Sequence, residues 1–307
     1  MTPSPGQRCF ELKNQTQLLF TGPDRLRYLN GQVTQDLRKL SVDRALPACV
    51  TNAKGRLQAE VWISDLGGAL LVDAHPDVVE TLPARLERYI VADDVALENQ
   101  TLTHTLFHCL DQPGMIPGIS DSTLLRSSRV GIPGWDLRVP NTALQETRRI
   151  LGIPDDSRFG WERLRISHGI PAWGSELSED TLPPEAGLDQ THVDYHKGCY
   201  IGQEVLSRIK SVGHVNRRLV LLTARPDGSA AQDPEGAILF DPLQPAQESR
   251  DSRDSVGHIT SIIRLETGPV ALAYLKRGVH ARTVVSEAGT PFEVRELHPN
   301  HSGASNK

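Results

Sequence analysis

From residue 218 onward the chain is a succession of short apolar runs, at 218–223, 237–240, 256–263, 270–275 and 281–285, with turns between them at regular intervals. Strands this short cannot stand alone, so they have to close on one another, and a small sandwich or barrel is predicted for 212–297. Upstream the pattern changes. Leu57, Ala59, Val61 and Ile63 alternate with polar residues, which predicts a strand with one buried face. Residues 48–52 and 57–63 flank a turn at 53–56, a hairpin pattern. Further strands are predicted at 18–20, 69–73, 95–97, 101–106 and 136–139. Helices are predicted after Asp24, which can cap the first of them, over 75–90 with Val78, Val79, Leu82, Leu86 and Ile90 on one face, over 142–151, from Gly160 to a stop at Gly169, and over 203–210. The fold class is therefore α+β. Residues 1–15 read as a frayed start, 244–254 as a mobile hairpin loop and 298–307 as a disordered tail. The adjacent aspartates Asp93 and Asp94 read as a turn rather than an acid/base pair.

One stretch does not read as core. Residues 197–204, K-G-C-Y-I-G-Q-E, pack a cation, a thiol, two glycines, an aromatic ring, an amide and a carboxylate into eight positions. The glycines allow backbone angles or a close approach that other residues resist. A cation two residues from a thiol favours the thiolate, so Cys199 is a candidate reactive group with Lys197 tuning it. No base is identified to make it a hydrolase nucleophile. Equally, the turn can be half of a binding pocket, with Tyr200 stacking on a flat ligand and Lys197, Gln203 and Glu204 supplying polar contacts. It can also be a plain turn with a small buried cysteine. A Glu204–Arg208 pair is expected at i,i+4. The loop at 174–184 is long enough without periodicity to suggest a functional role. The polar run 30–36 reads as a solvated helix face.

Composition narrows the function. The 307 residues carry a formal net charge of −5 and 5% aromatics, which argues against nucleic-acid binding by a basic stripe or stacking platform. No apolar run reaches the ~20 residues that span a bilayer, and residues 1–15 have no apolar targeting core, so a cytoplasmic protein without membrane contact is expected. Cys9, Cys49, Cys109 and Cys199 are scattered. Neither a disulfide framework nor a closed metal site is expected, and the first three read as small buried hydrophobes.

Residues 197–204 match the K-G-C-[FY]-x-G-Q-E signature of the YgfZ family, folate-binding proteins related to the glycine-cleavage T-protein. Gly22-Pro23-Asp24 and residues 29–36 resemble that family's G-x-D and L-x-G-Q-x-T-x-D segments. Residues 52–56 are similar to its x-x-K-G-[RK] turn, and Trp161 with 164–166 and 169–171 is similar to its W-x-x-L-x-I-x-x-G-x-P segment. The resemblance covers about residues 17–290. It implies three units around a central folate channel, the third an antiparallel β-barrel, with 1–46 plus 158–211 as the unit carrying the signature, 47–157 as the second and 212–297 as the barrel. It implies binding of tetrahydrofolate or a related reduced folate, and support for the assembly or repair of iron–sulfur clusters in client enzymes, with a monomer as the expected state. The implied site residues are Cys199 and Lys197 for chemistry. For folate they are Trp161, Tyr200, Gln203, Glu204, Asn30, Gln32, Asn52, Lys54, Arg129 and Asp136. At least one of Asn30 and Gln32 is then expected to line the channel. The aminomethyltransferase branch carries R-x-G-Y-x-G-E-D-G, where its Glu binds the pterin. Residues 129–137 here put Trp135 in place of that Glu, so aminomethyl transfer is the less favoured alternative.

Overall fold

The computed structural model describes residues 8–113, 121–153, 158–224, 233–242 and 255–297. In chain order it runs β1 (Cys9–Leu12), β2 (Thr16–Thr21), α1 (Arg25–Gln32), β3 (Leu46–Thr51), β4 (Leu57–Asp65), β5 (Leu70–Ala74), α2 (Thr81–Glu87), β6 (Ala96–Asn99), β7 (His104–Cys109), β8 (Thr123–Ser127) and β9 (Gly134–Pro140). Helices α3 (Leu144–Leu151), α4 (Arg158–Ser167) and α5 (Gln203–Val212) follow. The chain then enters β10 (Arg217–Thr223), β11 (Ile238–Phe240), β12 (Gly257–Leu265), β13 (Gly268–Lys276), β14 (Thr283–Ser286) and β15 (Pro291–Glu296).

Strands order themselves as a five-stranded sheet β3-β4-β5-β2-β6, a four-stranded sheet β1-β7-β9-β8, and a closed barrel β10-β13-β12-β11-β14-β15. Alternation along the first sheet decides which face is core. Leu18, Phe20, Val50, Ala59, Val61, Ile63 and Val72 bury against Tyr28 and Leu29 of α1 and Leu82 and Leu86 of α2. Each large apolar side chain fully buried this way contributes about 1.5–3 kcal/mol. The opposite face is polar and meets the second sheet. Arg138 of β9 donates from Nε to Gln17 Oε1 at 2.7 Å, and Gln17 Nε2 donates to the carbonyl of His104 at 2.9 Å.

In the barrel, Val220, Leu222, Leu239, Ile259, Ala271, Ala273, Val284 and Phe292 fill the interior. β13 is apolar on both sides because its outer face, through Leu272 and Tyr274, packs on Ile166 of α4. A buried polar knot secures that contact. Arg165 of α4 donates to Glu176 Oε2 at 3.1 Å and to Ser261 Oγ at 3.0 Å, and Ser261 Oγ donates to Glu176 Oε1 at 2.5 Å. The loop at 174–184 is thus a tie between barrel and body.

The structure corrects several expectations. Residues 9–12 are a strand, because Cys9, Phe10, Glu11 and Leu12 pair with β7 across a sequence gap that local pattern does not reveal. The helix expected over 75–90 is a 3-10 turn at Pro76–Val78 followed by α2. Pro83 has no N–H to continue a helical ladder through that region. Asp24 does not cap α1 with its side chain; its carboxylate accepts from the Asp94 amide at 2.9 Å. Strands β8 and β15 were not expected, and β15 closes the barrel on β10. Hydrogen bonding also groups the chain differently from a division at 46/47, since β2 pairs with β5 and β6. Cys9 and Cys109, expected as free thiols, stand opposite one another in the β1–β7 register and are joined by a disulfide. The loop at 244–254 and the tail at 298–307 lie outside the described residues.

Candidate functional site

The 197–204 turn is built against the β3–β4 hairpin turn. Gly202 has φ +91°, and a Cβ there would lie 2.6 Å from the carbonyl oxygen of Asn52 and 2.7 Å from Thr51 Oγ1. Gly55, at φ +72°, would put a Cβ 3.1 Å from Val205. Thr51 Oγ1 donates to the Ile201 carbonyl at 2.5 Å. The two glycines therefore serve close approach of one turn to the other. Asn52 holds its own turn, its Oδ1 accepting from the amides of Lys54 at 2.9 Å and Arg56 at 3.1 Å. Lys54 is exposed at the tip. Gly202→Ala is expected to cost about 2–3 kcal/mol, from the left-handed backbone and the clash together. Urea unfolding of the variant checks this, and an unchanged midpoint would show that the two turns do not dock.

Lys197 is buried, and all three of its donors are committed. Nζ donates to the carbonyls of Asn30 at 2.5 Å, Val33 at 2.8 Å and Gln35 at 2.7 Å. These are groups at and just beyond the end of α1, where helical carbonyls lack partners. Burial pulls the Lys197 amine down to about 8, against the raising effect of Asp36 and Asp194. Asn30 is engaged on both sides, since its Oδ1 also accepts from the Leu37 amide at 2.8 Å. Gln32 is buried and accepts from Arg85 Nη1 at 3.0 Å; Arg85 also donates to Gln58 at 2.7 Å. Gln203 reaches back to the Lys197 carbonyl at 3.5 Å. Glu204 faces solvent and pairs with Arg208 at 2.9 Å, the expected helical pair. Tyr200 does not present its ring to a ligand: it packs with Val193 and Leu206, and its buried hydroxyl has no partner among the described residues. Cys199 is exposed, with Gly198 beside it facing open space.

The remaining predicted residues form a second cluster between the two sheets. Arg129 is buried, with Nε on Asp136 Oδ2 and Nη2 on Asp73 Oδ1, each at 2.7 Å. Its guanidinium lies 4.9 Å from the Trp62 ring centroid. His108 shares Nδ1 with Asp136 Oδ1 at 2.8 Å, and its buried Nε2 has no partner among the described residues. The Trp161 ring meets His108 edge-on and Phe10 at a tilt, both at 5.8 Å. Burial raises Asp73 to about 6, with Asp136 adding to the effect and Arg129 opposing it. Burial also pushes Asp136 upward, but Arg129 and His108 outweigh it and hold that carboxyl below its ordinary value.

The two clusters meet through residues that the sequence did not single out. Trp62 lies edge-on to His192 at 6.1 Å, and His192 Nε2 lies 3.0 Å from Glu60 Oε1. The His192 carbonyl accepts from Thr34 Oγ1 at 2.5 Å. Glu60 and Trp62 occupy the polar side of β4, and Asp73 pairs with Trp62 in register. The alternation that located the apolar face of β4 also contained its counterpart. A Trp and a Glu on one strand face, with no solvent requirement for the Trp, was the available signal.

No family model matches the chain. Among curated relatives, the iron–sulfur cluster assembly factor IBA57 homolog, mitochondrial, of Dictyostelium discoideum is 26% identical over 280 residues, covering 78% of this chain and 68% of the relative. The tRNA-modifying protein YgfZ of Yersinia enterocolitica is 27% identical over 236 residues, covering 70% and 69%. Among solved structures, the glycine cleavage system aminomethyltransferase T from Bartonella henselae superposes with a TM-score of 0.76 over 94% of this chain and 85% of that one. The chain is similar in sequence to the IBA57 and YgfZ proteins. At 18% identity the aminomethyltransferase likeness establishes the fold, a T-protein-like body closed by a C-terminal barrel. Trp135 occupies β9 next to Asp136, paired in register with Cys109 and Arg126.

Proposed function

We propose that this chain binds a reduced folate, tetrahydrofolate or a one-carbon derivative, and acts as an accessory factor in the assembly or repair of iron–sulfur clusters in client enzymes. The observation that carries the reading is the exposed Cys199, held on a turn that two glycines lock to the neighbouring hairpin. The printed names of the IBA57 and YgfZ relatives support the cluster half of it. For the folate half, the side chains suit a flat, polar heterocycle. Trp161 is half-buried, and beside it the buried His108 Nε2 lacks a partner among the described residues. Arg129, Asp73 and Asp136 supply fixed charge beneath. These residues would hold the pterin, and the exposed Lys54 is available to an anionic end. When bound, a reduced folate supplies a one-carbon unit or a reducing ring; the protein orients it and keeps water from its polar edge. Tyr200 and Glu204 take no part, the first being packed inward and the second solvent-paired.

Calorimetric titration with 5-formyl-tetrahydrofolate is expected to give saturable binding, and no heat at high micromolar ligand would sink the folate half. Cys199→Ser is expected to fold and bind folate normally but to lose most of its support for a radical-SAM client enzyme. A variant that sustains the client fully would remove the thiol from the mechanism. Formation of methylene-tetrahydrofolate from an amine donor would instead favour a one-carbon transferase.

A further inference from the structure

The Cys9–Cys109 disulfide lies next to the two rings that support Trp161. In the β1–β7 register, Cys9 stands opposite Cys109, and one step along Phe10 stands opposite His108. Phe10 and His108 are the aromatic neighbours of Trp161, each 5.8 Å away. Successive side chains on a strand point to opposite faces. The sulfurs therefore lie on the side of the sheet away from Trp161, the face that carries Phe107 and Leu137 against α3, with Cys9 the partly exposed one of the two. β1 is a four-residue strand at the edge of its sheet. Besides its ladder it is tied by the ion pair of Glu11 with Arg148 at 2.8 Å and by that of Arg8 with Asp111. Short edge elements of this kind open locally well before the whole fold does.

We infer that the Cys9–Cys109 disulfide is a thiol-sensitive latch on the Trp161 wall, closed when oxidised and loosened by a dithiol reductant. It regulates the site described above, and it rests on the folate reading only for the identity of the ligand. Cys109 is fully buried and Cys9 half-buried, so the reductant's thiolate attacks Cys9 Sγ. The Cys9–Cys109 bond breaks, and Cys109 leaves as a thiolate and takes a proton. The second thiol of the reductant then displaces Cys9 from the mixed disulfide and is itself oxidised with its partner. Two electrons pass from the dithiol to the protein. Such disulfides in proteins of reducing compartments are typically transient or regulatory.

The test compares the full chain oxidised with glutathione disulfide and reduced with dithiothreitol. Iodoacetamide labelling in denaturant should mark only Cys49 and Cys199 in the first state and all four cysteines in the second. On reduction, amide hydrogen exchange should quicken about tenfold in the peptides 8–12 and 158–167, with 270–276 unchanged. Cys9→Ser combined with Cys109→Ser should exchange at the fast rate under both conditions. Affinity for 5-formyl-tetrahydrofolate should fall about fivefold on reduction. Equal exchange in the two states, or four labelled cysteines after oxidation, would overturn the latch. Absence of folate binding in both states would overturn the folate reading, while the exchange result still decides the latch.

Discussion

Replacing Arg129 with alanine is expected to destabilise the fold by about 3–5 kcal/mol, because it strips two buried carboxylates of the cation they share. Asp73 and Asp136 come from different sheets, and Arg129 bonds to both at 2.7 Å. The guanidinium also loses its place over Trp62. The loss should depend on pH in a defined direction. In the native protein Asp73 already sits near 6, above its ordinary 3.8. Between those values the folded state binds more protons than the unfolded one. This group's contribution is therefore fully present at low pH and is lost as pH rises through 6. Without Arg129 both carboxylates shift further toward the protonated form. The gap between native protein and variant should then be widest at pH 8 and shrink toward pH 5, as followed by urea midpoints. A pH-independent loss below about 1 kcal/mol would mean that the pair is solvated and contributes little. Asp136 and Arg129 would then lose their claim to be preorganised charge beneath Trp161.

Local pattern made the apolar halves of this fold legible. Leu57, Ala59, Val61 and Ile63 announced a strand with one buried face, and the run at 270–275 announced a strand. What pattern could not show was pairing at long range. β1 reads as an unstructured start until its partner β7, about a hundred residues away, is in place; Cys9 and Cys109 are 100 residues apart and look unrelated for the same reason. The site divides in the same way. Residues 197–204 and Trp161 stood out by their chemistry. Glu60, Trp62, Asp73 and His108 did not, because each is an ordinary residue on an ordinary strand until two sheets face each other. The composition of 197–204 was also easier to notice than to interpret. Its tyrosine and lysine, which invite a binding role, are turned inward, while its cysteine is left outside.

Lys197 shows what that inward turn means. Read from sequence, it is the cation that tunes Cys199; in the fold its ammonium is surrounded by three carbonyls from 30–35. Lys197→Met keeps the chain length and removes a buried charge, which by itself favours the variant. It also leaves three acceptors without a donor, at about 1–3 kcal/mol for each that stays buried. The second effect is larger, so a net loss of about 3 kcal/mol is expected, concentrated in α1 and the segment after it. Lys197→Arg should not rescue it, since a planar fork cannot address three converging carbonyls as a compact ammonium does. Burial holds the amine near 8 in the fold against 10.5 in the unfolded chain. Between these values the unfolded state binds more protons, so the native protein's margin over Lys197→Met should widen as pH rises from 8 toward 10.5. Urea unfolding of the two proteins across that range, with amide exchange in 25–37, measures both effects. A midpoint equal to that of the native protein would return Lys197 to a role at the thiol. A lowered midpoint with fast exchange in 25–37 would make it the post on which the first helix and the cysteine turn are hung together.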